Sequence, residues 1–256
     1  MVEALQIKQQ VRRQWMDTAR QMMLDGLNEG IDVTTKTGPH DLVTNIDRQV
    51  EQYYITQIKQ AYPEAHFFGE ESIHNYTQEG MMWIIDPVDG TMNFVKQQDN
   101  FASMVAVYQD GNPVVGFILD VVNNDLYWGG PEVGAYRNEQ PLLPPADLSL
   151  EQGLLGVGSR MILSNNYHSQ ELGQRAFGIR VNGSAGMEFI SVLTGKTTGY
   201  LSYLHPWDFA AGRIIAESLG LTVKKIDGSA LDMLSSTTVL VATKRTAAEV
   251  IRVANS

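Results

Sequence analysis

The sequence contains no cysteine. That excludes disulfides and thiolate metal sites and leaves carboxylate, imidazole and carbonyl groups for any metal, a set that suits hard ions. Proline is sparse, 9 in 256 residues, while 43% of the residues are apolar. The chain can therefore bury a substantial core, as one compact unit or two fused halves, and does not read as disordered. No run reaches the ~20 uninterrupted apolar residues that cross a bilayer, and residues 1–20 are polar and lack the apolar core of a signal peptide. We therefore expect a cytoplasmic protein with no membrane partner. Basic residues are in deficit, 19 Lys and Arg against 29 Asp and Glu, for a net charge of -10. This argues against bulk nucleic acid, which is bound through a basic face. A small phosphate is still compatible, because bound divalent cations invert the local field of an acidic site.

Within residues 2–28, Ile7, Val11, Trp15, Ala19, Met22 and Met23 recur at spacings of three and four, predicting an amphipathic helix that Gly26 and Gly30 help to end. Leu42, Ile46, Val50, Tyr54 and Ile58 repeat every four residues and predict a second helix, closed by Pro63, with Asp41 and Asp47 near its start. Short apolar runs at 66–68 and 82–85 end in acidic residues, as when buried strands deliver ligands at their ends. A meander follows, with strands at 102–108, 114–119 and 126–128 separated by turns at Asp110-Gly111-Asn112 and Asn123-Asn124. Strand-like runs at 154–157, 179–182, 199–204 and 239–242 then alternate with helical ones. The clearest helix starts at Trp207-Asp208, turns Ala211, Ile214, Ile215 and Leu219 inward and stops at Gly220. The pattern predicts a mixed, layered α/β fold forming one domain, 1–256. Its halves lie near 1–145 and 146–256 and join through the proline- and glycine-rich stretch 130–145.

The strongest chemical signal is Trp83-Ile84-Ile85-Asp86-Pro87-Val88-Asp89-Gly90-Thr91, where an apolar strand gives way to two acids and a glycine before a helix. Carboxylates three apart across a proline-set turn, with the Val88 carbonyl between them, can converge on neighbouring divalent ions. Gly90 permits close backbone approach, and a helix starting near Thr91 offers unpaired amides to a phosphate. The same spacing also suits a tight turn whose aspartates accept backbone hydrogen bonds. Glu70 and Glu71 end another strand-like run, where adjacent acids repel unless a cation sits between them; a solvated loop is the alternative. Asp208, between Trp207 and Phe209, can cap a helix and bind a metal. Asp47 taken alone reads as a surface charge or a partner of the helix dipole. His205 reads as a packed or hydrogen-bonded histidine outside the chemistry, and Tyr76, Trp83 and Trp128 as core or interface aromatics, since no basic patch interleaves with them.

Gly69-Glu70-Glu71, the run from Trp83 to Thr91, and Trp207-Asp208-Phe209-Ala210-Ala211-Gly212 resemble, in order and separation, the three signatures of the inositol monophosphatase family. Asp41-Leu42-Val43-Thr44-Asn45-Ile46-Asp47 is similar to that family's first helix, so the likeness covers nearly the whole chain. The resemblance implies alternating α-β-α-β-α layers and a Mg2+-dependent phosphomonoesterase for a small phosphorylated sugar, polyol or nucleotide, inositol monophosphate foremost. It implies two or three Mg2+ ions on Glu70, Asp86, the Val88 carbonyl, Asp89 and Asp208. It assigns Asp47, Thr91 and Glu70 to activation of the attacking water, and the Gly90 and Thr91 amides to phosphate. Asp89, Ser184, Ala185 and Asp208 would line the substrate pocket, Lys36 would tune the outer metal shell, and Glu71 would stand just outside it. Li+ sensitivity and a homodimer are further implications. One position departs from the pattern. Leu201, seven residues before Asp208, stands where inositol-specific members carry a glutamate that contacts inositol hydroxyls. Leucine accepts no hydrogen bond, so strict inositol specificity does not follow. Fructose 1,6-bisphosphate, a 3'-phosphoadenosine nucleotide and NADP are the alternative substrates, and a binding module that has lost turnover is the alternative of another class.

Overall fold

The computed structural model describes residues 2–35, 42–71, 77–233 and 235–256, and the structural statements that follow concern those residues. Lys36, Asp41 and Tyr76, singled out above, lie outside them. The predicted first helix is a continuous helical path: α1 (Val2–Gln10) and α2 (Asp17–Glu29) run together through a π-helical stretch at Val11–Met16. Next, β1 (Val33–Thr35) pairs with β2 (Leu42–Thr44), and α3 follows at Asn45–Ala61. Leu42, predicted helical, is therefore in a strand. The reason is Thr44, whose extended backbone (φ -114°, ψ 166°) stops the helix and whose hydroxyl accepts from the Ile46 and Asp47 amides.

The first sheet comprises β3 (His66–Gly69), β4 (Met81–Asp89), β5 (Ala102–Gln109), β6 (Asn112–Asp120), β7 (Asp125–Gly130), β8 (Gly134–Arg137) and β9 (Gln140–Pro141), in that spatial order. β3 and β4 are parallel and the other pairs antiparallel. The switch expected at Asp86 comes later: Asp86 still pairs with Met104 and Asp89 with Ala102 across a register irregularity, and α4 (Thr91–Lys96) starts only after Gly90, which adopts φ 84°. The stretch 130–145 is likewise more than a connection, since β8 and β9 complete this sheet and the irregular link is residues 142–149.

The second half contributes β10 (Leu154–Val157), α5 (Ser159–Ser164), α6 (Ser169–Arg175), β11 (Gly178–Arg180), α7 (Ala185–Leu193), β12 (Gly199–Leu204), α8 (Pro206–Ser218), β13 (Thr222–Lys225), β14 (Thr237–Ala242) and α9 (Lys244–Ala254). Its sheet is ordered β11-β10-β12-β14-β13. Three cores glue the layers together. Val50, Tyr54 and Ile58 of α3 pack with Trp15 and Met23 on one face of the first sheet through Trp83, Val105 and Phe117. Phe189 of α7 and Phe209, Ile214 and Ile215 of α8 fill the space between the two sheets. Val250 and Val253 of α9 cover the outer face of the second sheet with Leu155, Leu201 and Leu240. The order is thus helix, sheet, helix, sheet, helix, each amphipathic face closed by the next layer.

Helix α8 reaches this position because Gly116 on β6 lets its backbone descend onto the sheet: a Cβ at Gly116 would stand 2.5 Å from the Ala211 carbonyl oxygen. Backbone cannot yield as a flexible side chain does, so we expect Gly116→Ala to destabilise the protein by about 1–3 kcal/mol. The measurement is the urea unfolding midpoint, and an unchanged midpoint would contradict this account of how α8 is seated.

Candidate active site

Four helix N-termini meet the ends of β3 and β4. Glu70 follows β3, Asp86 and Asp89 lie at the end of β4, and α3, α4, α7 and α8 bring Asp47, Thr91, Ser184 and Asp208. Parallel neighbours β3 and β4 deliver their acids side by side because Gly69 pairs with Ile85 in register. The positive ends of helix dipoles favour negative charge here, whether carboxylate or phosphate.

Asp86 is 2% exposed, and its Oδ1 has no hydrogen-bond partner. Burial pushes its carboxyl well above the usual carboxylate range, and the charges of Glu70, Asp89 and Asp208 push it further the same way. Asp89, also buried, is better satisfied: the Ser184 hydroxyl donates to Oδ2, the Ala185 amide to Oδ1 at 2.9 Å and the Gly186 amide to Oδ2 at 2.8 Å. Burial still raises it, against the lowering effect of those three donors. Asp47 is raised by burial as well. Its Oδ2 accepts from the Thr44 amide at 3.0 Å and from the Thr44 hydroxyl, and Thr91 Oγ1 lies 3.1 Å from both Asp47 Oδ1 and the Val88 carbonyl oxygen. Asp208 accepts the His205 amide at 2.8 Å, closing a capping box on α8.

Among the described residues no three acidic or histidine side chains form a tight preformed metal cage, since Asp89 faces α7 and Asp208 holds its own helix start. The donor chemistry nevertheless fits hard divalent ions. Four carboxylates, Asp86 and Asp89 buried and Glu70 and Asp208 half-buried, share one neighbourhood, one oxygen of Asp86 is unpaired, and each leading influence on Asp86 raises its pKa. Glu71 pairs loosely with Arg48 at 4.0 Å, and its amide donates to Glu51 at 2.9 Å.

Beside the acids opens a cavity of about 700 Å³ bordered by Asp89, Ser184, Ala185 and Asp208, with Arg160 on its wall and Met92, Leu163, Val181 and Tyr203 exposed at its rim. His205, stacked 4.8 Å from Trp207, also borders it. Leu201 does not. It is fully buried in the core behind the second sheet, because strand alternation on β12 turns Tyr200 and Ser202 toward the cavity and Leu201 toward α9. Leu201 therefore offers nothing to the cavity, and the cavity face of β12 carries no carboxylate. Trp83 and Trp128 are buried, as expected of core aromatics.

Several residues that shape the site were not singled out from sequence. Thr44 had a readable signal, since Thr44-x-x-Asp47 is a capping-box spacing. Asn93 and Glu188 had none. Asn93 Nδ2 donates to the Asn100 carbonyl at 2.8 Å and to the Asn182 carbonyl at 2.7 Å, tying α4 to the turn before α7. Glu188 borders the cavity, accepts the Asn182 amide at 3.0 Å, and has its pKa pushed up to about 7 by burial, despite its Asn182 bonds and with help from Asp89.

Comparison with known proteins agrees with this geometry. An inositol-1-monophosphatase of Bacillus subtilis is 35% identical over 240 residues, 90% of each chain. A fructose-1,6-bisphosphatase/inositol-1-monophosphatase of Thermotoga maritima is 29% identical, over 79% of this chain and 78% of that one. The crystal structure of an IMPase/NADP phosphatase complexed with Mg2+ and phosphate superposes with a TM-score of 0.91 at 28% identity, over 98% of this chain and 95% of that chain. The family model described as the inositol monophosphatase family matches residues 6–256, and the chain belongs to that family.

Proposed function

We propose that the protein is a Mg2+-dependent phosphomonoesterase for a small phosphorylated sugar or polyol, inositol monophosphate foremost. The observation that carries this reading is the unpaired buried oxygen of Asp86 amid Glu70, Asp89 and Asp208, a charge arrangement that asks for a cation. Glu70, Asp86, the Val88 carbonyl, Asp89 and Asp208 would hold two or three Mg2+ ions, which when bound supply the charge that lowers the pKa of an attacking water and neutralises the leaving oxygen.

The chain's own groups do the rest. The Thr91 hydroxyl has one proton and two acceptors, Asp47 Oδ1 and the Val88 carbonyl, each at 3.1 Å. When it donates to Asp47, its lone pairs are free to take a hydrogen from water, so the pair orients the nucleophile and gives its proton a route away. Thr44 clamps Asp47 from the other side. The unpaired first amides of α4, at Gly90 and Thr91, suit the phosphate. Ser184 and Ala185 would stand beside the alcohol portion with Asp89 and Asp208. The cavity's size, Arg160 and apolar rim favour a larger ester as the second reading, in line with the fructose bisphosphatase and NADP phosphatase activities named for two relatives. The same proposal carries Li+ sensitivity, a homodimer and the cytoplasm.

Purified protein should release phosphate from inositol 1-phosphate, or from fructose 1,6-bisphosphate or NADP on the second reading, with Mg2+ and not with EDTA. Asp86→Asn should lower kcat/KM by more than about 100-fold, the upper end of what loss of a metal-ligand partner costs. No release from any ester would favour a non-catalytic binding module.

A second expectation concerns metal-free stability. Glu188 rises from 4.5 to about 7 on folding. Below pH 4.5 both states are protonated; between the two values only the folded state holds the proton, so stability falls as pH rises through that window, by up to about 3 kcal/mol, and levels off above it. Urea midpoints of EDTA-treated protein from pH 4.5 to 7 should show the decline, and Glu188→Gln should make it shallower, the remaining slope coming from Asp47, Asp86 and Asp89, which burial also raises. Equal slopes for the two proteins would contradict the assignment.

A further inference from the structure

We propose that Glu188 is a substrate-recognition residue, accepting a hydrogen bond from a hydroxyl of the polyol portion of the ester; this rests on the phosphatase reading above. Glu188 sits in the first turn of α7, two residues beyond the Gly186 amide that binds Asp89, and borders the cavity while only 1% exposed. Its Oε1 is used by the Asn182 amide at 3.0 Å, whereas Oε2 is buried with no hydrogen-bond partner. A buried acceptor left unpaired is unfavourable, and a ligand hydroxyl is the kind of group that relieves it.

The surroundings are shaped for this carboxylate. Across from it β10 carries Gly156, where any Cβ would overlap Glu188 Oε2 and crowd the Tyr200 ring. The cavity face of β12 supplies Tyr200 and Ser202 and no acid, with Leu201 turned to the opposite core. Among the described residues bordering the cavity the carboxylates are Asp89, Asp208 and Glu188. The first two belong to the metal proposal, which leaves Glu188 as the acceptor for hydroxyls. The role that inositol-specific relatives would give to a strand residue thus passes here to a helix residue on the neighbouring wall.

The test compares kcat/KM for inositol 1-phosphate with that for cyclohexyl phosphate, the same ring stripped of its other hydroxyls, in the presence of Mg2+. Wild-type protein should favour the polyol ester by at least about tenfold. Glu188→Gln keeps the shape but weakens the acceptor and should narrow that ratio about fivefold, chiefly through KM for inositol 1-phosphate. Glu188→Leu should narrow it further. Leucine strands the Asn182 amide, so the glutamine variant decides the matter if the leucine variant does not fold, with urea midpoints checking both. A wild-type ratio near one overturns the proposal, as does a glutamine variant that keeps the wild-type ratio. Wild-type protein that releases phosphate from fructose 1,6-bisphosphate or NADP but from neither of these esters also overturns the proposal, and release from no ester at all overturns the phosphatase reading itself.

Discussion

Asp86 leaves water at the end of β4 with one oxygen unpaired, while Glu70, Asp89 and Asp208 crowd the same neighbourhood. An ionised carboxylate held this way is stable only if it takes up a proton or meets a cation. The fold makes that problem on purpose-built ground. Parallel β3 and β4 align their ends, Gly116 lets α8 settle low enough to bring Asp208 alongside, and the N-termini of α3, α4, α7 and α8 turn their positive ends inward. The dipoles offset part of the repulsion and suit a phosphate; divalent ions would remove the remainder and pull the carboxylates into a tighter set than they form on their own.

The two halves of the chain are tied at this point rather than merely packed. Asp89 of the first half is held by Ser184, Ala185 and Gly186 of the second, and Asn93 bridges the Asn100 and Asn182 carbonyls. Asn182 is in turn held by Glu188. The turn that borders the cavity is therefore fixed by polar contacts from both halves, so that ester binding and the acidic centre share one framework.

Much of this was legible in the sequence because its signals are local. The period-four pattern of α3, the strand runs ending in Glu70 and Asp86, and the Trp207-Asp208 helix start all appear where expected, and the three signature strings meet in one place. What escaped was set by pairing across space. Thr44 decides where α3 begins, against the apolar period that includes Leu42. The partner strand β5 holds Asp86 and Asp89 in the sheet, where the proline and glycine suggested a turn. Strand alternation, which a count of seven from Asp208 ignores, turns Leu201 to the α9 core. Glu188 had no signal at all, since its unpaired oxygen exists only because Gly156 of another strand leaves room for it.

The central claim is that these buried carboxylates are compensated by divalent cations, and calorimetric titration of Mg2+ into EDTA-stripped protein tests it without recourse to any substrate. Saturable binding to the wild-type chain that disappears in a folded Asp86→Asn variant is the predicted result. No binding to the wild-type chain, or binding undiminished by the substitution, would contradict it.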